Sequence, residues 1–490
     1  MLFNSFAFAM FLPVVFIIYW VLPKKFQWIV ILISSYYFYM SWNVKYVFLI
    51  LLTTMVSYVT AVLLEKEESS RLRKLYLAAA FFVCLSVLFF FKYFNFVSES
   101  IAAVVQQFSV SYSPFMINVL LPVGISFYTF QTLAYVVDVY RGGVKAEHHL
   151  GKYAAFISFF PQLVAGPIER TENLLPQIKR ENIFDYGQAS YGLKLMAWGF
   201  FKKIVVADTL AVYVDTVYNN LQNYKGMVLA IATVFFTIQI YCDFSGYSDI
   251  AVGCAKLFGI NLMSNFKSPY FSFSVKEFWS RWHISLSTWF RDYVYIPLGG
   301  NRVSRRRHGL NLLVTFLVSG LWHGAAWTYV IWGGVHGTAQ VLENIFCRDR
   351  NRSARNKTDG KRTGMKYILP VFKIVLVFGF VSFAWIFFRA QSLSDAAYVI
   401  RYTLSGIGSP IQYLKDGILN MGLEKTAVVT CIGMIGILGI YDGLSLKYDV
   451  IECIGRWKPL LRWPVYFMIV LLILFLAPIG NASSFIYFQF

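Results

Sequence analysis

The amino-acid sequence predicts an all-α, polytopic integral membrane protein, and three observations carry that reading. Of the 490 residues, 58% are hydrophobic and only 14% charged, with a mean hydropathy of +0.56; a soluble chain would carry about 25% charged residues. Uncharged runs of about 16 residues or more recur along the chain, long enough for helices that satisfy their own backbone polar groups in a hydrocarbon layer. The net charge of +19 gathers between those runs, and the positive-inside rule places such Lys and Arg on the cytoplasmic face. With that account no nucleic-acid partner is needed. The six cysteines are scattered and form no C-x-x-C pair. They read as small buried hydrophobes, and neither a disulfide framework nor a metal site is expected.

In chain order, residues 1–22 are uncharged and lack the basic region and cleavage site of a signal peptide, so they read as a retained first helix. Runs 26–44 and 46–64 follow. Placing Lys24, Lys25 and the basic residues of 71–74 on the cytoplasmic side puts the N-terminus outside the cytoplasm. Residues 75–91 return outward to Lys92, and 98–117 read as a polar external segment. Pro122 and Gly124 interrupt 120–137, while Pro161, Gly166 and Pro167 interrupt 153–168; helices broken in this way line cavities. Lys202, Lys203 and Asp208 make 191–213 read as a helix at the membrane interface, and 227–242 is a span that runs into a polar knot at 243–249.

Runs 367–388, 426–441 and 463–487 give three further spans, and 346–366 is a basic cytoplasmic loop touching anionic lipid headgroups. The expected sum is about 11–14 spanning or re-entrant helices in a single membrane domain over 1–490. It divides into N-terminal helices (1–150), a catalytic core (151–345), the basic loop (346–366) and C-terminal helices (367–490).

The chemistry gathers in residues 278–337. They begin F-W-S-R-W-H-I-S-L-S-T-W-F-R-D-Y-V-Y-I-P-L-G-G-N-R and continue into an uncharged run from Gly309 that contains L-W-H-G-A-A-W and V-H-G. An imidazole inside a membrane-length apolar run is expensive and marks a functional site by default. His323 stands among Trp322, Gly324, Ala325 and Ala326, which leave room for a ligand, and its ordinary pKa of about 6.5 suits proton transfer. A core histidine hydrogen-bonded between helices is the bland alternative. His283 lies in a segment whose Glu277/Arg281 spacing and aromatic residues suit an amphipathic interfacial helix. If residues 320–337 formed one helix, His336 would stand roughly 20 Å along the axis from His323, so it reads as structural. Asp243, Ser245 and Tyr247 either orient an imidazole or bind substrate hydroxyls, or they cap a helix. Arg305, Arg306 and Arg307 suit either a phosphate-bearing donor or a plain cytoplasmic loop.

The motifs W-H-I-S-L-S-T-W-F-R-D-Y and L-W-H-G-A-A-W resemble the membrane-bound O-acyltransferase superfamily. The P-L-G-G-N-R tail, together with F-F-P-Q-L-V-A-G-P-I-E-R (159–170) and Q-I-Y-C-D-F-S-G-Y-S-D-I-A (239–251), resembles its bacterial alginate O-acetylation branch. The resemblance implies a helical fold around a tunnel, with His323 and His283 as catalytic residues; Trp282, Trp322, Asp243, Ser245, Tyr247 and Arg305–Arg307 are the candidate substrate contacts read from the residues. It implies acetyl-CoA as the acyl donor, with no permanently bound cofactor and no metal. It also implies an extracytoplasmic polysaccharide acceptor, a periplasmic or membrane-anchored SGNH-type partner of esterase fold, and residence in a bacterial inner membrane. D-alanyl transfer to teichoic acid is the nearest rival, disfavoured by the P-L-G-G-N-R tail and the spans beyond Trp463. A non-enzymatic lipid or polysaccharide transporter is the rival from another class, and it predicts ionisable residues spread over many spans.

Overall fold

The computed structural model describes residues 1–109, 112–164, 166–354, 368–419, 425–476 and 485–486. Helices account for the regular structure among them, and they gather into two compact units: 1–197 with 247–264, and 198–246 with 265–490. Among the described residues, six helical segments are long and apolar enough to cross a membrane.

The first unit holds α1 (Phe6–Val21), α2 (Gln27–Met40), α3 (Val47–Lys66), α4 (Ser70–Leu88), α5 (Phe94–Gln106), α6 (Ile125–Tyr140), α7 (Leu150–Ser158), α8 (Phe160–Leu163), α9 (Thr171–Lys179) and most of α10 (Tyr186–Phe200). Lys92 does not end a span as its charge suggests. A π-helical turn at Phe89–Tyr93 accommodates it and joins α4 to α5 in one 37-residue helix. Residues 98–106 of the segment expected to be external are thus the end of that helix. Gly124 starts α6 with φ +74°, and a Cβ there would stand 2.5 Å from the Leu163 carbonyl oxygen; only glycine fits. The interruption at 153–168 is present as two short helices, α7 and α8.

The second unit begins with the end of α10, which passes through a π-helical segment at Phe201–Ala207 into α11 (Asp208–Tyr218). Next comes α12 (Met227–Leu257), whose residues 227–246 belong to this unit. The central stretch forms α13 (Val275–Arg281), α14 (Ile284–Phe290), a π-helical turn at Arg291–Tyr295, α15 (Arg305–His323) and α16 (Trp327–Ala354). The rest is α17 (Ile368–Arg389), α18 (Leu393–Tyr402), α19 (Pro410–Leu419), α20 (Lys425–Ser445), α21 (Val450–Gly455) and α22 (Pro459–Leu476). The basic segment starts as the end of α16, and its residues 355–367 lie outside the described residues, as do 477–484 of the last expected span. On α22 the apolar side chains face outward, Leu460 and Phe475 among them. Such a surface is stable against hydrocarbon and not against water.

Two sequence expectations are overturned here. The uncharged run from Gly309 is not one helix: it folds back at Gly324–Ala326 into the antiparallel pair α15/α16. A Cβ on Gly320 would collide with the Tyr329 carbonyl, and one on Gly333 with that of Phe316. The glycines thus bring two backbones into contact and maximise packing where apolar burial from water supplies no drive.

Lys202, Lys203 and Asp208, read as marks of a helix at the membrane interface, are not solvated either; all three are buried inside the protein. Lys203 Nζ pairs with Asp208 (2.7 Å) and with Asp243 (2.5 Å), and Lys202 Nζ donates to Ser245 Oγ (2.9 Å). For Lys203 two carboxylates, not solvent, compensate the buried charge. Removing one partner of such a pair is costly because the opposite charge stays buried. Lys203→Met should therefore cost about 3–5 kcal/mol and shift the midpoint of an SDS-unfolding titration down. An unshifted midpoint refutes the internal pairing.

Candidate active site

His323 ends α15, and the extended backbone at Gly324 terminates the helix. A Cβ on Gly324 would strike the Tyr329 ring, so the turn after the histidine depends on glycine. The imidazole is buried against Trp322 (ring centroids 4.9 Å), Trp332 (5.0 Å) and Phe388 (5.4 Å).

His283 comes from the break between α13 and α14. The amphipathic helix expected across 277–292 is not continuous, because His283 adopts φ +42°, ψ +56°. This left-handed conformation costs a non-glycine residue energy, and such strain gathers at functional sites. Asn265 holds the break in place: its carbonyl accepts the Ile284 N–H (3.0 Å), and its side-chain oxygen accepts the Ser285 N–H (3.3 Å). The kink aims the His283 ring inward, edge-on to Phe244 (4.5 Å) and 6.3 Å from the His323 ring. Complete burial pushes its pKa down to about 3, so the ring is neutral at physiological pH, a weak base suited to hydrogen bonding.

The two histidines therefore meet across 40 residues of sequence, with Trp322 beside both (6.1 Å to His283). His336 is nearer to them than one continuous helix would allow. The α15/α16 turn folds it back, and Trp332 stands between, 5.0 Å from His323 and 5.1 Å from His336.

The remaining expected contacts lie elsewhere. Trp282 packs in the aromatic core against Phe266 and Trp385. Asp243 and Ser245 lie inside α12, so they cap nothing; Asp243 meets Lys203 and accepts the Ile486 N–H (2.7 Å), while Ser245 meets Lys202. Tyr247 belongs to the first unit, where it stacks on Phe3. Arg305, Arg306 and Arg307 are exposed and form the first turn of α15. Three cations beside unpaired helix N–H groups make an electropositive end.

Sequence reasoning passed over a cavity of about 620 Å³ in this unit. It runs along the hairpin from His308 and Asn344, at its open end, to Ser319, one turn before His323. Lys276, Arg291 and His308 supply cationic groups, while Trp279 and Phe316 supply aromatic wall. The signal was present in the stripe His308, Leu312, Thr315, Phe316 and Ser319, which keeps to one helical face and leads to His323.

Comparison with known proteins bears on this arrangement. The model of the membrane-bound O-acyltransferase (MBOAT) family matches residues 143–384, which contain both histidines and the cavity. The chain is 39% identical over 400 residues to the probable alginate O-acetylase AlgI of Pseudomonas aeruginosa, covering 81% of this chain and 73% of the relative. It is 36% identical to the protein of the same name from Pseudomonas putida, with both chains covered in full. It is also 33% identical to the peptidoglycan O-acetyltransferase of Helicobacter pylori, covering 82% of this chain and 79% of that one. An apolar helical chain that buries a histidine pair, and matches these relatives over most of its length, belongs to the membrane-bound O-acyltransferase family.

Proposed function

We propose that this O-acyltransferase carries an acetyl group from acetyl-CoA on the cytoplasmic side of a bacterial inner membrane to a hydroxyl outside it, for O-acetylation of a polysaccharide such as alginate. The observation that carries the reading is the buried pair of His283 and His323, 6.3 Å apart, with a cavity along α15 whose lining ends at Ser319, one turn before His323. The cavity's cationic groups suit phosphates, and its polar and aromatic walls suit a thioester arm.

In the reaction so assigned, His323 takes the proton of the acceptor hydroxyl as its oxygen attacks the acetyl carbonyl carbon. The carbon–sulfur bond breaks, and the proton passes to the leaving thiolate. His283, neutral and fixed by its backbone, orients His323 or the acceptor. The chain's role ends with delivery of the acetyl group. An SGNH-type partner outside the cytoplasm receives it and passes it to the polymer.

His323→Ala should lower acetylation by at least about 10²-fold while membrane insertion is retained, and His283→Ala should lower it strongly. Wild-type acetylation in His323→Ala membranes refutes the assignment. Turnover of a carrier-bound D-alanyl group in place of acetyl-CoA would move the chain to the teichoic acid reaction. The orientation is tested separately, with cysteines introduced one at a time. A cysteine within 355–364 should react with a membrane-impermeant maleimide only after cells are opened, and one at Asn43 in intact cells. The opposite pattern reverses the donor side.

A further inference from the structure

Asn265 fixes the backbone of the kink at His283 through the N–H groups of Ile284 and Ser285, but a backbone clamp leaves a side chain its own torsions. The imidazole is set by the rings it packs against, and Phe244 stands edge-on to it at 4.5 Å. Phe244 is itself completely buried, with Phe266 (5.0 Å) and Phe485 (6.0 Å) beside it. Phe266 follows Asn265 directly, so it belongs to the segment that already clamps the kink. Phe485 comes from a distant part of the chain.

What ties Phe485 to this place is its neighbour. The N–H of Ile486 donates to Asp243 Oδ2 (2.7 Å) across 243 residues of sequence. The other oxygen of that carboxylate meets Lys203 Nζ, so a carboxylate held by a buried cation accepts a charge-assisted bond from the backbone. Two adjacent residues of α12 thus take two adjacent residues of the distant segment: Asp243 receives the backbone of Ile486, and Phe244 receives the ring of Phe485. Both incoming residues are buried, and Ile486 joins the same hydrophobic core as Trp282, the residue before His283. The preceding helix α22 behaves in the opposite way and turns its apolar side chains outward. Neither Phe244, Phe485 nor Ile486 lines the cavity.

We propose that Phe485 and Ile486 are positioning residues for acyl transfer: anchored on Asp243, they hold Phe244 against His283 and so keep that imidazole in its place 6.3 Å from His323. Without the Ile486 anchor, Phe244 loses one of the two rings that pack on it, and the His283 side chain gains rotamers that no longer face His323. The inference rests on the role given to His283 above and deepens it.

The test uses purified, detergent-solubilised protein and diethyl pyrocarbonate, which modifies accessible neutral imidazoles; mass spectrometry of peptides locates the label. His283 and His336 are both completely buried, so neither should label in the wild type, and His336 reports any general loosening. Phe485→Ala removes the ring, and Ile486→Pro removes the N–H that Asp243 accepts. Each should open His283 to label while His336 stays protected. Each should also lower kcat for acetylation about tenfold or more with the donor KM unchanged. Phe485→Leu keeps the bulk and Ile486→Val keeps the N–H; both should restore protection and most of the rate. Labelling of His283 and His336 together shows a merely structural role and overturns the inference, as does continued protection of His283. The reading of His283 is checked apart from this: full transfer by His283→Ala overturns that reading, whereas an inactive His283→Ala beside a fully active Phe485→Ala overturns the positioning alone.

Discussion

The second unit depends on the contact of two backbones. Gly320 and Gly333 let α15 and α16 touch without intervening side chains. That contact folds an uncharged run back on itself and puts His323 at a turn instead of mid-helix. It also sets Trp332 between two imidazoles and brings the faces of both helices alongside one cavity. A methyl group at either glycine would separate the helices, and every distance in the site would change with them. The constraint is steric before it is chemical.

A second constraint supports the first from behind. The Lys203–Asp208–Asp243 cluster lies where the π-helical segment after α10 meets α12. Asp243 also receives the backbone of Ile486, and Phe485 packs 6.0 Å from Phe244, whose edge supports His283. Residues near the chain's end thus reach the catalytic region through one carboxylate. In a low-dielectric interior such a network is worth little for stability against a well-packed apolar alternative, but it is intolerant of losing a member. It specifies an arrangement more than it strengthens one.

What could be read from the sequence followed from local signals. Composition and uncharged runs were enough for the fold class, and the motifs around His283 and His323 were enough to single out two rings that the fold brings within 6.3 Å. The hairpin was hidden because Gly324-Ala325-Ala326 turns without a polar or charged residue, and an apolar turn looks like more helix. The burial of Lys202 and Lys203 was hidden because their partners Ser245 and Asp243 lie some 40 residues away. A charge pair reads as a solvated face until its counter-ions are located. The partners of Asp243 and Ser245 were hidden in the same way, and His308 went unremarked because the stripe it begins reads as an ordinary helical face.

The left-handed backbone at His283 has a consequence for which residues evolution can try there. Apart from glycine, the side chains that visit this conformation most readily are asparagine, aspartate and histidine. Those three also carry a polar group able to meet an imidazole or a hydroxyl. The peptide geometry therefore prescreens the alphabet at this position before chemistry selects within it, and it bars β-branched and large aliphatic residues on conformational grounds alone.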